Sequence, residues 1–372
     1  MTHRQLTLQA LRRESHGAVP FVPRWELWFD AAKADGRLPS EYRDLPIYEV
    51  ARRLGFGLHG REGRVFRREY EGVEVTSDRS GDLRITTYHT PVGDLVQEEI
   101  DTPELRLQGV RGRTTKHLIT EERDYGPALY LAEHTRLVPT YEAFLEYDRY
   151  LGDDGVAIAQ TGICPAHRLM REFTGYVEFY YEANDRPALV ERLLEAITQA
   201  DEAMIEIVAG SPADLIGHDG NFDSMLMPPP VFRRYFLPFF QRLCEAAHRA
   251  GKVVVTHDDG RSEDLMGLIQ ESGFDAAEAF TPPPMTRRGV ADARRAWGDD
   301  VAIWGGIAAN MLPERIADDE FESHVRQTMA EAEGLDGFIL GLGDNIPTDC
   351  TWERVLRLRD LAGELGCFVT PK

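Results

Sequence analysis

Two stretches decide the fold: Lys252-Val253-Val254-Val255-Thr256-His257-Asp258-Asp259-Gly260 and Phe338-Ile339-Leu340-Gly341-Leu342-Gly343-Asp344-Asn345. Each opens on an apolar run that reads as a buried strand and ends on an imidazole or carboxylates. In α/β folds, chemistry gathers just past the C-terminal ends of parallel strands. His257 and Asp259 stand two residues apart at a strand end, so both can turn toward one point. Asp344 joins them only if the two strands belong to one closed sheet.

Working outward, short apolar runs alternate with amphipathic stretches from about residue 150 onward. The pattern predicts strands over 156–159, 214–217, 252–256, 275–280, 301–304 and 338–342. Helices are expected over 187–209, 230–250, 262–271, 288–297, 318–333 and 351–365. Ahead of these, a helix over 2–14 precedes a strand over 21–29, and a helix over 48–54 precedes a strand over 55–58. Eight strands joined by helical crossovers give an α/β fold of the (β/α)8 TIM-barrel type. Between the second and third strands the texture changes. Segments 64–70, 72–77, 83–89 and 95–100 alternate with period two, separated by turn residues such as Arg79-Ser80-Gly81-Asp82. This reads as an antiparallel β-meander. With the helices that follow it, the meander makes an insertion over 62–150 in a single domain spanning 1–372. Because it leaves the barrel after a strand, it is expected to cover the C-terminal rim as a lid.

The 372 residues are 42% hydrophobic and 28% charged, enough for a large core. A net charge of −21 argues against a nucleic acid or an anionic membrane as partner. No apolar run approaches the roughly 18 residues that span a bilayer, and the first residues lack the apolar centre of a signal peptide. Cys164, Cys244, Cys350 and Cys367 show no paired spacing, as expected of reduced thiols in a cytoplasmic protein.

His257, Asp259 and Asp344 make a candidate metal set of one histidine and two carboxylates, suited to zinc, iron or manganese. Glu26 lies between Trp25 and Trp28 in what reads as the first strand; facing inward, it would need a proton, a cation or a metal. His59 follows the second strand, Gln160 and His167 bracket the end of the third, His218 and Asn221 follow the fourth, and Glu278 ends the sixth. Together these residues would furnish an active-site rim; any one alone reads equally as a turn or cap. Cys350 sits beside Asp349 and Glu353, which disfavour a reactive thiolate. Phosphate-binding Gly-x-Gly-x-x-Gly loops and Gly-x-Ser-x-Gly elbows are absent from the sequence.

The chain resembles the uroporphyrinogen decarboxylase superfamily, which also holds corrinoid- and thiol-linked methyltransferases. The likeness rests on Gly36-Arg37-Leu38-Pro39-Ser40-Glu41-Tyr42-Arg43, on Trp304-Gly305-Gly306-Ile307 and on Leu342-Gly343-Asp344-Asn345-Ile346-Pro347. It implies a barrel with a C-terminal-face cleft, often in a homodimer. Decarboxylases of the family carry an arginine that holds substrate carboxylates early in the chain and an aspartate after the second strand. Here those places read Phe29-Asp30-Ala31-Ala32-Lys33 and Gly57-Leu58-His59-Gly60. The methyltransferase branch binds zinc through His-x-Cys after the fifth strand and a later Cys. Here His257 is kept, and Asp259 and Asp344 take the thiolate places.

These residues favour a metal-dependent methyltransferase acting on a small oxygen or sulfur substrate, with cobalamin entering only through a partner corrinoid protein. His257 would act with Glu26 or His218 as proton carrier. Trp25, Trp28, Arg37, His59, Gln160, Asn221 and Glu278 would line the substrate. The alternatives are a decarboxylase of a porphyrinogen or small acid, anchored by Arg37 and Arg43, and a non-catalytic binding protein on a degenerate barrel. Glu26, Asp259, Glu278 and Asp344 together predict an acidic cleft.

Overall fold

The computed structural model describes residues 1–14, 17–107, 110 and 112–371. Seven strands form one parallel, curled sheet: Leu58–Gly63, Gly155–Gln160, Leu215–His218, Val253–His257, Ala276–Phe280, Ala302–Ile307 and Phe338–Leu342, neighbours in that order. All six pairings are parallel. The expected first strand is reduced to a bridge. Phe21 pairs with Leu340, Val22 donates to Leu340 O at 2.9 Å, and Gly57 donates to Phe21 O at 3.0 Å. Phe21 thus stands between the two edges of the sheet, and the architecture is TIM-barrel-like. Pro20 and Pro23 flank this contact and cannot donate to a ladder, which keeps it short.

The rest of the expected first strand is a helix, Glu26–Ala34. Trp25, Trp28, Phe29 and Ala32 recur at helical spacing and are buried, so a 3.6-residue period prevails over the apolar run.

Within the sheet, side chains alternate between two cores. Val156, Ile158, Leu215, Val253, Val255, Ala276, Ala302, Trp304 and Ile339 pack together inside the curl. Val254, Ala277, Ile303 and Leu340 belong to the larger core beneath the surrounding helices. The first helix, His3–Leu11, starts in a Thr2–Gln5 capping box and adds Ala10 and Leu11 to the inner cluster. Two positions above Val255 and Ala276 come His257 and Glu278, whose strands pair them in register. Period two therefore puts an imidazole and a carboxylate on the inner face at the C-terminal end.

Between the first two strands of the parallel sheet, strands Glu74–Ser80, Leu83–Thr90, Gly93–Ile100 and Arg113–Lys116 form an antiparallel sheet in that order. Phe66–Tyr70, expected to belong with them, instead pairs with Thr135–Pro139. Among the described residues no helix is long and apolar enough to cross a membrane.

Phe21 is fully buried and meets Phe56 edge-to-face at 5.4 Å. Phe21→Ala should cost about 3–5 kcal/mol, read as a lower urea midpoint. An unchanged midpoint would show that the sheet does not depend on this contact.

Candidate functional site

Glu278 is the centre of the polar layer. His257 Nδ1 donates to its Oε2 at 2.6 Å, and His59 Nε2 donates to its Oε1 at 3.0 Å. Arg24 Nη1 lies 3.9 Å from the same Oε1 and 3.2 Å from Asp344 Oδ1. The His59 ring packs 4.6 Å from Trp304. The next residue, Ala279, has φ +58, and the pairing with the neighbouring strand slips between Glu278 and Phe280. A non-glycine residue in this backbone region stores strain, and a bulge re-aims the side chains around it.

Burial would raise the Glu278 carboxyl, but His257 and His59 hold it well below the usual carboxylate range. Burial would likewise lower His257; Glu278 and Asp259 outweigh it and push the imidazole up to about 9. For His59 burial wins and the pKa falls. The layer therefore carries one imidazolium against one carboxylate, with His59 neutral.

With Nδ1 committed to Glu278, His257 turns Nε2 toward Asp259, whose Oδ2 lies 3.4 Å away. Ligand atoms of His257, Asp259 and Asp344 all lie within 4.8 Å of one another. Both loops that carry the carboxylates are anchored. Asp258 is fully buried, pairs with Arg288 at 2.7 Å and accepts from Ser262 Oγ at 2.5 Å. Its neighbour Asp259 is thereby left to face the site. Gly343 donates to Ile307 O at 2.8 Å and accepts from Thr281 Oγ1 at 2.5 Å; a Cβ there would meet that oxygen at 2.5 Å. The Asp344 loop is also tied to the Arg24 segment through Ile346 N to Arg24 O at 3.0 Å and Leu27 N to Asn345 Oδ1 at 3.3 Å.

Arg24 links this layer to a cavity of about 880 Å³. Arg24, Arg61, Arg64, Arg84 and Arg106 line it together with an equal number of carboxylates, Glu26 and Asp219 among them. The charges of this cavity balance; of the four carboxylates expected to make the cleft acidic, only Glu26 lines it. Arg84 and Arg106, near strands of the antiparallel sheet, share this cavity with Asn345 from the last strand's loop.

The structure sorts the remaining candidates. Glu26 lines the cavity, and its Oε2 accepts from Trp25 N at 3.0 Å. Gln160 lines a second cavity. Trp25 and Trp28 line neither: Trp28 stacks on Trp352 and donates to Cys350 O at 2.7 Å, and both indoles are core. His218 also lines neither cavity. It sits among Phe222, Phe240 and Phe274, and burial takes its pKa down to about 3, which does not suit a proton carrier. Arg37 turns to Asp35, Thr348 O and Cys350 O, and Arg43 to Leu38 O, both beside a separate groove. Asn221 is exposed and lines neither cavity. Sequence reading missed Arg24; its signal was a lone guanidinium within the apolar run Phe21-Val22-Pro23-Arg24-Trp25.

The sequence profile for uroporphyrinogen decarboxylase (URO-D) matches residues 165–365, more than half of the chain and all of the His257, Glu278 and Asp344 region. The chain belongs to the URO-D family. A methyltransferase from Methanosarcina mazei has a similar structure: TM-score 0.60 at 15% identity, over 98% of this chain and 99% of that one. At that identity the likeness establishes a shared fold. No curated protein sequence matches the chain.

His167 and His218 are both held near pKa 3, chiefly by burial. The unfolded chain takes up protons below about pH 6.5 that the native state refuses, so stability falls as pH drops from 6.5 toward 3. His257, raised to about 9, contributes in the opposite sense: its stabilisation is complete below pH 6.5 and is lost as pH rises toward 9. Urea midpoints should therefore drop between pH 7 and pH 5, with each buried histidine costing about 2 kcal/mol at pH 5. His218→Phe should remove its own share of that dependence, about 2 kcal/mol at pH 5. An identical slope in the variant would contradict the assignment.

Proposed function

We propose that this URO-D family member is a metal-dependent methyltransferase-like enzyme. Its reaction centre would be His257, Asp259 and Asp344, and its substrate a small molecule bearing a methyl-accepting or methyl-donating oxygen or sulfur. The observation that carries this reading is the Glu278–His257 hydrogen bond. A histidine that ligates through one nitrogen commonly donates from the other to a carboxylate, which fixes its tautomer. Here Nδ1 is so engaged, Nε2 faces Asp259, and Asp344 stands in the same cluster, with the Asp258 anchor and Arg24 restraining the two carboxylates.

The donor set of one nitrogen and two oxygens fits zinc, iron or manganese. Such an ion, when bound, lowers the pKa of a coordinated thiol or hydroxyl. The chain's residues supply the rest. Glu278 holds the His257 proton at Nδ1. Arg24 balances Asp344 and Glu278. Glu26, on the wall of the adjoining cavity, is placed to exchange a proton with substrate. A methyl group moves as a cation equivalent, so the accepting atom must present a lone pair and the leaving atom must keep one. A corrinoid protein as methyl partner, and a homodimer as the working state, belong to the same reading.

A second reading, a decarboxylase, is favoured by one observation: the five arginines of the 880 Å³ cavity, which can hold carboxylates. Two assays separate the readings. Methyl transfer from methylcobalamin to a small thiol, followed by the corrinoid spectrum, should occur and should fail in Asp259→Asn and Asp344→Asn. Anaerobic incubation with uroporphyrinogen should give little carboxyl loss; turnover on the order of 1 per second would promote the decarboxylase.

Metal binding is testable by itself. Equilibrium dialysis against Zn²⁺ or Mn²⁺ with elemental analysis should give about one ion per chain. Glu278→Gln should weaken it by about 10–100-fold, and Asp259→Asn by more. Because His257 must shed its proton to ligate, affinity should rise with pH from 6 to 8. No uptake, or uptake indifferent to these variants, sinks the metal reading.

A further inference from the structure

The second cavity, of about 830 Å³, is not used by the reading above. It lies between the antiparallel sheet, the strand Phe66–Tyr70 and the π-helical turn Leu169–Thr174, and shares Arg64 and Asp219 with the first cavity. In a chain of net charge −21 its lining is cationic, with five guanidinium groups against three carboxylates.

The positive charge is only partly spent. Arg68 and Arg168 share the buried carboxylate of Asp201 at 3.0 and 3.1 Å, and Arg168 also pairs with Glu172 at 3.2 Å. Arg68 Nε and His117 Nδ1 are buried and have no acceptor among the described residues. Arg113 and Arg171 lie within reach of no carboxylate among the described residues. A buried donor without an acceptor is costly unless a ligand or water completes it. Between these cations stand aromatic walls, Tyr70, Tyr88, Phe173 and Tyr176, the last sharing a hydrogen bond with His167 Nε2 at 2.6 Å. Aromatic faces favour a flat ring, and guanidinium groups favour a carboxylate held by paired hydrogen bonds.

We propose that this cavity is a recognition subsite for an aromatic carboxylic acid, with Arg113 and Arg171 taking the carboxylate and Tyr70, Tyr88 and Tyr176 flanking the ring. Three of its five arginines, Arg64, Arg68 and Arg113, lie outside the segment that matches the URO-D profile. Most of the subsite's arginines thus lie in the insertion between the first two strands of the parallel sheet. It rests on the proposed function in one respect: the ring would point its methyl-bearing oxygen through the Arg64–Asp219 junction toward the reaction centre.

The test measures binding, not turnover. 4-Methoxybenzoate and its neutral isostere 4-methoxybenzamide are titrated into the full chain by calorimetry. The acid should bind at least 10-fold more tightly than the amide. Arg113→Gln with Arg171→Gln should weaken the acid by at least 10-fold and leave the amide unchanged; both side chains are exposed, so folding is not at stake. Asp259→Asn should leave acid binding intact while abolishing metal uptake, which separates failure of the subsite from failure of the metal reading. Equal affinity for acid and amide, or acid binding indifferent to the double variant, overturns the proposal.

Discussion

A carboxylate sealed away from water must be neutralised by what touches it. Glu278 is only 6% exposed and sits inside the curl of a parallel sheet, above a layer of valines and alanines. Its two oxygens take one histidine each, and Arg24 supplies a longer-range cation. That single requirement orders the layer. It fixes the tautomer of His257, sends Nε2 toward Asp259, and brings His59 against Trp304. Remove the charge and His257 loses the group that sustains its proton against burial.

The same constraint explains the scaffold beneath. Strand register sets His257 beside Glu278, and the slip at Ala279 lets the strand turn away immediately afterwards. The two aspartate loops are held by contacts that do not involve the reaction centre: Asp258 with Arg288 below, Gly343 with Thr281 and Ile307 beside it. Functional groups placed by packed neighbours pay little reorganisation when a ligand arrives. The strain at Ala279 is local, and the dense core around it supplies the stability that tolerates it.

How much of this was legible follows from which interactions are local. The strands Val253–His257 and Phe338–Leu342 could be read because continuous apolar runs bounded by polar loops have few other solutions. The convergence of His257, Asp259 and Asp344 followed once both strands were assigned to one sheet, and the structure brings the three together. Trp25-Glu26-Leu27-Trp28 reads as a strand because three apolar residues around one glutamate fit a strand or a buried helix equally; the helical period emerges only when Phe29 and Ala32 are counted with Trp25 and Trp28. Trp25 and Trp28 then fell into the core. The bridging role of Glu278 depends on register between adjacent strands, which no local pattern specifies. His218 looked catalytic by its strand-end place, yet its setting is decided by three phenylalanines distant in sequence. The arginines at 64, 84 and 106 lie on or beside alternating segments of the insertion, and Arg61 in the strand Leu58–Gly63; they become a cavity wall only when the sheet is laid against the barrel mouth.

The molecule divides its work between the barrel's strand ends and the walls above them. The residues that gather at the strand ends, His257, Glu278 and Asp344, lie within the segment matched by the URO-D profile, whereas most of the cation-rich walls lie before it. A barrel supplies a rigid floor on which a few groups can be held in fixed geometry, and its connecting segments vary without disturbing that floor. Here the balance of charge differs between the two parts. The floor sets the His257 imidazolium and Arg24 against Glu278, Asp259 and Asp344, which leaves it no surplus of positive charge. The walls hold more guanidinium than their own carboxylates can satisfy in the second cavity. A surplus of positive charge over such a floor attracts an anion to the wall and not to the floor. An anionic molecule would therefore be held by its charged end at a distance from His257, leaving its uncharged end free to meet the strand ends.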